Sequence, residues 1–156
     1  MIYLYDIDHT LIRPASGGDF PERAIFVHDQ EVLIDAVKSF PVDGTIVGLS
    51  NQAGIEMGYS TRKAMTKRFQ HTLTLIPRLK CIYYVPNYAG SEIIQVTECG
   101  DIAFKAMPRE DFRKPSPDSI SFIQEMLGDR VVQHCGDREE DELLAANANI
   151  KFVPVQ

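Results

Sequence analysis

Met1-Ile2-Tyr3-Leu4-Tyr5-Asp6-Ile7-Asp8-His9-Thr10 opens the chain and decides its fold. Ile2 to Ile7 is a β-prone run rich in Ile and Tyr, and it ends at paired aspartates followed by Thr10. A short apolar run closed by polar residues reads as a buried strand feeding a loop. Buried strands of this kind belong to parallel sheets, whose crossovers are helices, so helix-period segments should alternate with further such runs.

They do. Arg13 to Arg23 contains Pro14, Gly17, Gly18 and Pro21, which predicts a loop or tight hairpin. From Asp29, a plausible N-cap, Val32, Leu33, Ala36, Val37 and Phe40 recur at helical spacing until Pro41 stops them. Thr45 to Leu49 is the next predicted strand, running into Ser50-Asn51-Gln52-Ala53-Gly54. A second amphipathic helix is expected from near Ser60, with Met65, Phe69, Leu73 and Ile76 as its apolar stripe and Lys63 and Lys67 on another face. Cys81 to Val85 reads as a strand. Between Asn87 and Arg113 the pattern leaves a hairpin, a small cap and an extended connection all open, with Glu92 to Thr97 and Ile102 to Ala106 as its β-prone pieces. Ser116-Pro117-Asp118 then supplies an N-cap and a proline at the first helical position, and Gly128 ends the stripe of Ile120, Ile123, Met126 and Leu127. Val131 to Cys135, a helix over Glu139 to Ala148, and Ile150 to Val153 complete the pattern.

Alternation at this spacing predicts an α/β fold: a three-layer, Rossmann-like, mainly parallel sheet with helices on both faces. Ligands of such sheets bind at the carboxyl ends of the strands. Asp6, Ser50 and Asp137 each follow a predicted strand, so the fold would bring them to one edge.

With 156 residues and 44% hydrophobic content, one core and one domain are expected. No apolar run reaches the roughly 18 residues that span a bilayer, and the start lacks the basic end and long apolar stretch of a signal peptide, so a cytoplasmic protein is expected. Cys81, Cys99 and Cys135 are odd in number and widely spaced, which suits reduced core thiols and makes no zinc knuckle. The net charge of −6 argues against a general nucleic-acid binder, but it is unevenly spread. Arg62, Lys63, Lys67, Arg68, Arg78 and Lys80 lie between Met57 and Ser91 with no acid among them, while the remainder holds 10 basic and 22 acidic residues. That stretch is either a solvated helix face or a surface for an anionic substrate, and no aromatic-interleaved nucleic-acid motif accompanies it.

A lone Asp-x-Asp is most often a solvated turn. Here it has ordered company: Asp6-Ile7-Asp8-His9-Thr10, then Ser50-Asn51, then Lys114-Pro115, then Gly136-Asp137 with Asp141 four residues on. Together these resemble the four motifs of the haloacid dehalogenase superfamily, in order and over essentially the whole chain. Ser50-Asn51-Gln52-Ala53-Gly54-Ile55, Arg113-Lys114-Pro115 and Gly136-Asp137-Arg138 are similar to its compact branch, with minimal or no cap, which includes histidinol-phosphate and heptose bisphosphate phosphatases and polynucleotide 3′-phosphatases. Leu11-Ile12, Ser16-Gly17 and Phe20-Pro21 further resemble the segment after the nucleophile in the last of these.

The resemblance implies a phosphatase working through an aspartyl-phosphate. Phosphate monoesters repel nucleophiles, so a site must screen charge with a metal and basic groups and set a nucleophile in line with the leaving oxygen. Asp6 fits the nucleophile, and Asp8 the acid that protonates the leaving alkoxide and then activates water. Mg²⁺ would be held by the carboxylates of Asp6 and Asp137 and, by resemblance, the backbone carbonyl of Asp8. The hydroxyl of Ser50, an amide of Asn51 and the ammonium of Lys114 would bind the phosphoryl oxygens.

Asp141 is either an outer ligand of that metal or an ordinary helix-dipole acid among Glu139, Glu140 and Glu142. His9 stands where the family usually has Gly; His28 and His71 read as surface or helix residues, and His134 as a satisfied polar group in a strand. No zinc is expected, because none of these joins Cys81 or Cys99 in a cluster. The substrate stays open between a polynucleotide 3′-phosphate end and a small phosphate such as histidinol phosphate or a sugar phosphate. A phosphotransferase and a silent binding module are the other readings, the last opposed by retention of every motif acid, Ser50 and Lys114.

Overall fold

Ile2, Leu4 and Ile7 are wholly excluded from solvent and Tyr5 nearly so, so the opening run is covered on both faces. In the computed structural model, which describes residues 1–17 and 27–155, this run is β1 (Ile2–Tyr5). A short antiparallel pair, β2 (Ile12–Arg13) and β3 (Glu31–Val32), leads from it into α1 (Ile34–Lys38). Then come β4 (Thr45–Asn51), α2 (Arg62–Leu75), β5 (Leu79–Val85) and the hairpin of β6 (Glu92–Thr97) and β7 (Gly100–Lys105). The chain closes with α3 (Asp118–Leu127), β8 (Val131–Gly136), α4 (Glu139–Asn147) and β9 (Lys151–Pro154).

The main sheet has the order β7-β6-β5-β4-β1-β8-β9. Neighbours among β5, β4, β1, β8 and β9 pair in parallel, while β6 pairs antiparallel with both β5 and β7. Strand alternation sorts the side chains into two cores. Tyr5, Ile46, Ile82 and Tyr84 pack with Met65, Phe69 and Leu73 of α2 on one face. Ile2, Leu4, Val47, Leu49 and Tyr83 pack with Ile120, Ile123 and Leu144 of α3 and α4 on the other. The three-layer α/β reading therefore holds, and β1 lies where the chain order reverses, the position at which such sheets bind ligands.

Several expectations change or resolve in detail. No helix begins at Asp29: its carboxylate instead accepts from the backbone N–H (2.8 Å) and hydroxyl (2.7 Å) of Ser16. Pairing of Glu31–Val32 with Ile12–Arg13, backed by an Arg13–Glu31 ion pair at 2.9 Å, draws that stretch into a strand, leaving α1 only Ile34–Lys38. Gly18, Phe20, Pro21 and Arg23 lie outside the described residues. Asn87 to Arg113 resolves into the hairpin, which widens the sheet by two strands instead of forming a cap. Pro117 takes the N-cap of α3 rather than its first turn, while Gly128, at φ 64°, ends it as expected. Cys81 and Cys135 are buried, but Cys99 is exposed, and all three are free thiols.

Candidate active site

Three neighbouring strands, β4, β1 and β8, end at Ser50-Asn51, Asp6 and Gly136-Asp137, which brings together the residues the motifs singled out. Lys114 arrives from the segment after β7. Asn51 fixes it there: its side-chain N–H donates to the Lys114 carbonyl and its oxygen accepts from the Lys114 N–H, each at 3.2 Å. The Asn51 side chain is thus committed to placing the lysine. Lys114 is only 1% exposed. Its Nζ donates to Asp6 Oδ1 (3.1 Å), Asp141 Oδ1 (2.7 Å) and the Leu49 carbonyl (3.3 Å). A buried ammonium is tolerated only when paired and hydrogen-bonded, and here both conditions are met. Burial alone would lower its pKa, but the carboxylates of Asp6 and Asp141 outweigh it and hold the lysine protonated.

The two carboxylates that share Lys114 diverge. Asp6 is pushed well above the usual carboxylate range by burial, with Asp141 and Asp8 adding to the rise and Lys114 opposing it. For Asp141, burial also raises the pKa, but hydrogen bonds and charge from His134 and Lys114 prevail and hold it well below that range. His134 Nε2 lies 2.8 Å from Asp141 Oδ1, both side chains fully buried, and burial pushes the imidazole pKa down. Asp141 Oδ2 accepts from the Arg138 N–H at 3.2 Å. Asp141 is therefore an internal anchor of the site, not a solvated helix acid. Gly136 makes room for it: a Cβ there would fall 2.2 Å from the Asp141 carboxyl carbon.

Asp8 is paired with a residue that sequence reasoning placed on a basic surface. Arg68, 1% exposed, reaches from α2 so that Nη2 contacts Asp8 Oδ1 and Nη1 lies 3.4 Å from Oδ2. Gln52 Nε2 donates to the same Oδ2 at 2.9 Å and to the Ser50 hydroxyl at 2.8 Å. Arg68 and Gln52 are the residues the sequence reading missed. The signal was there, since Arg68 is three residues beyond Met65 and beside Phe69, both on the buried stripe. Of the other stretch residues, Arg62 bonds Asp101 (2.9 Å) and Arg78 the Pro41 carbonyl (2.6 Å), while Lys63, Lys67 and Lys80 stay exposed.

Carboxylate oxygens of Asp6, Asp137 and Asp141 lie within 4.8 Å of one another, with Asp137 the exposed member. Such a set of hard oxygens suits a hard divalent cation. His9 adopts a left-handed φ of 61°, which accounts for the glycine usual at that place and shows that the loop forms without it. His28 and His71 meet edge to face, 4.5 Å between centroids. Arg113 lies over the Tyr88 ring at 4.8 Å, beside Lys114 in the chain.

The family model for polynucleotide kinase 3 phosphatase matches residues 1–154. The chain belongs to that family. The 3-phosphatase family match, with the haloacid dehalogenase motifs, makes it a phosphatase of that superfamily. Solved structures agree on the fold. A protein described as a HAD-like phosphatase from Mesorhizobium loti superposes with a TM-score of 0.69 at 18% identity, over 96% of this chain and 68% of the other. D,D-heptose 1,7-bisphosphate phosphatase from B. bronchiseptica, complexed with magnesium and phosphate, superposes with a TM-score of 0.63 at 16% identity, over 98% and 78%. No curated protein matches the chain. Among the described residues no helix is long and apolar enough to cross a membrane.

Proposed function

We propose that the protein hydrolyses phosphate monoesters through an aspartyl-phosphate on Asp6, with Mg²⁺ as cofactor. The observation that carries this reading is the Asp6 carboxylate, buried at the end of β1, hydrogen-bonded to Lys114 and within ligand reach of Asp137. Asp6 and Asp137, with the Asp8 carbonyl, would hold the ion, which supplies charge to offset that of the phosphoryl group.

In the first step an Asp6 carboxylate oxygen attacks phosphorus as the bond to the leaving oxygen breaks, and the Asp8 carboxyl gives that oxygen its proton. The Ser50 hydroxyl donates to a phosphoryl oxygen, and Lys114, whose three N–H groups are held by Asp6, Asp141 and the Leu49 carbonyl, supplies its positive charge beside the phosphoryl group and donates to it only by giving up one of these partners. In the second, Asp8 takes a proton from water as the water oxygen attacks phosphorus, returning Asp6 and releasing inorganic phosphate. Such acid–base help is worth about 10²- to 10⁴-fold. Burial disfavours the ionised Asp6 that attack requires, so the charge of Lys114 opposite it matters for reactivity as well as for structure.

For substrate we infer a polynucleotide 3′-phosphate end. The family description supports it, as do the exposed Lys63 and Lys67 and the paired Arg113 and Tyr88 next to Lys114. A small phosphate ester is the second reading, favoured by the engagement of Arg62, Arg68 and Arg78 with protein groups, which thins the basic surface. Phosphate release from 3′-phosphorylated oligonucleotides, histidinol phosphate, sugar phosphates and an aryl phosphate, with Mg²⁺ and with chelator, decides between them. Turnover surviving Asp6→Asn sinks the mechanism.

A further inference from the structure

The geometry points to Arg68 and Gln52 as positioning residues that hold Asp8 for proton transfer to the leaving group and tie it to the phosphoryl-binding Ser50. This rests on the proposed role of Asp8. The Arg68 side chain is 2% exposed and that of Asp8 23%, so the guanidinium lies behind a carboxylate that faces the open side of the site. Both Asp8 oxygens are engaged, Oδ1 by Arg68 and Oδ2 by Arg68 and Gln52, which restricts the side chain to one orientation. Gln52 is itself fixed, its backbone N–H donating to the Val85 carbonyl at 2.8 Å.

Arg68 also lies over the Phe69 ring at 5.3 Å and 3.8 Å from the Met65 sulfur, yet what it buries there is a charge. Arg68 lies on the stripe of α2 between Met65 and Phe69, where an apolar side chain of similar size would fill the space without the desolvation of a charge. Polar residues kept at such positions are expected at functional sites. Gln52 has a further effect. Its Nε2 donates to the Ser50 hydroxyl oxygen, so the Ser50 hydrogen is left to point elsewhere, toward a phosphoryl oxygen. One amide thus sets both the donor that receives the phosphoryl group and the acid that releases the alcohol.

A proton delivered to the leaving oxygen matters most when that oxygen leaves as a basic alkoxide, and little when it leaves as a nitrophenolate. The test is therefore kcat/KM of the full chain with Mg²⁺ on glycerol 2-phosphate, an alkyl ester, and on p-nitrophenyl phosphate. The variants are Asp8→Asn, Arg68→Met and Arg68→Lys, each checked by thermal melting. Asp8→Asn and Arg68→Met should each lose at least about tenfold more on the alkyl ester than on the aryl ester. Arg68→Lys, which keeps the charge but not the fork, should show the same bias to a smaller degree. If Asp8→Asn shows the bias and the Arg68 variants lose equally on both esters, Arg68 is structural only and the inference is overturned. Absence of bias in Asp8→Asn overturns the acid–base role itself, and the inference with it. Should Arg68→Met fail to fold, Arg68→Lys carries the same two outcomes.

Discussion

Replacing Lys114 by Met removes one buried charge and leaves Asp6 and Asp141 facing each other. The lysine contributes three hydrogen bonds, two to carboxylates and one to the Leu49 carbonyl. Methionine fills a similar volume, so the cost is electrostatic. Removing one member of a buried ion pair typically destabilises by about 3–5 kcal/mol, which for a domain of this size lowers Tm by roughly 6 to 20 °C. The pH dependence is sharper than the size. In the variant Asp6 loses the charge of Lys114, which lowers its pKa, so an already raised pKa rises further. Between about pH 4 and that pKa the native state keeps a proton that the unfolded chain has lost, so stability falls as pH rises. Asp141 also loses Lys114, which lowers its pKa, but keeps the hydrogen bond of His134, which lowers it too. Urea unfolding of both proteins in chelator should give a large loss at pH 7.5 and a smaller one at pH 5. A loss that grows on acidification, or no loss at all, refutes the account of the site as a charge-balanced cluster.

Gly136→Ala should destabilise by about 1–3 kcal/mol, the usual cost of overpacking, and reduce turnover, because the new Cβ would fall 2.2 Å from the Asp141 carboxyl carbon; melting and kcat measure the two effects. Asp137→Asn, which alters the exposed member of the acidic cluster, should raise the Mg²⁺ needed for half-maximal activity by at least about tenfold with little change in Tm, read from a metal titration. If a polynucleotide 3′ end is the substrate, Lys63→Glu with Lys67→Glu should weaken oligonucleotide turnover and flatten its salt dependence by about one unit of slope per lost phosphate contact. Turnover of p-nitrophenyl phosphate should be unchanged in that variant.

The fold was legible because its signals are local. Buried strands show as unbroken apolar runs, and the stripe of Met65, Phe69, Leu73 and Ile76 shows the period of a helix; all four are buried as expected. Asp29 misled because Val32, Leu33, Ala36 and Val37 satisfy a helical template while Glu31 meets Arg13, 18 residues earlier in the chain, and Val32 meets Ile12. Strand pairing across that separation leaves no trace in periodicity. Asn87 to Arg113 stayed open for a similar reason, since a hairpin and a cap share the same β-prone pieces until their pairing with β5 is known.

In the site, sequence gives the residues that carry motifs and not the polar side chains that reach them from buried positions. Asp6, Ser50 and Asp137 were found because parallel strands deliver their carboxyl ends to one edge. Arg68 and His134 reach Asp8 and Asp141 from within the core, and each looks in sequence like a polar interruption of an apolar pattern. Such an interruption is costly unless it is paired, so its persistence on a buried stripe already requires a partner of opposite charge. Around α2 the available acids are few: the segment from Met57 to Ser91 has none, and the partner must come from elsewhere in the fold. Arg62 finds Asp101 on β7, and Arg68 finds Asp8 at the end of β1. The acid-free stretch is therefore basic in part because Arg62 and Arg68 are answered by acids from other strands, while Lys63, Lys67 and Lys80 stay exposed.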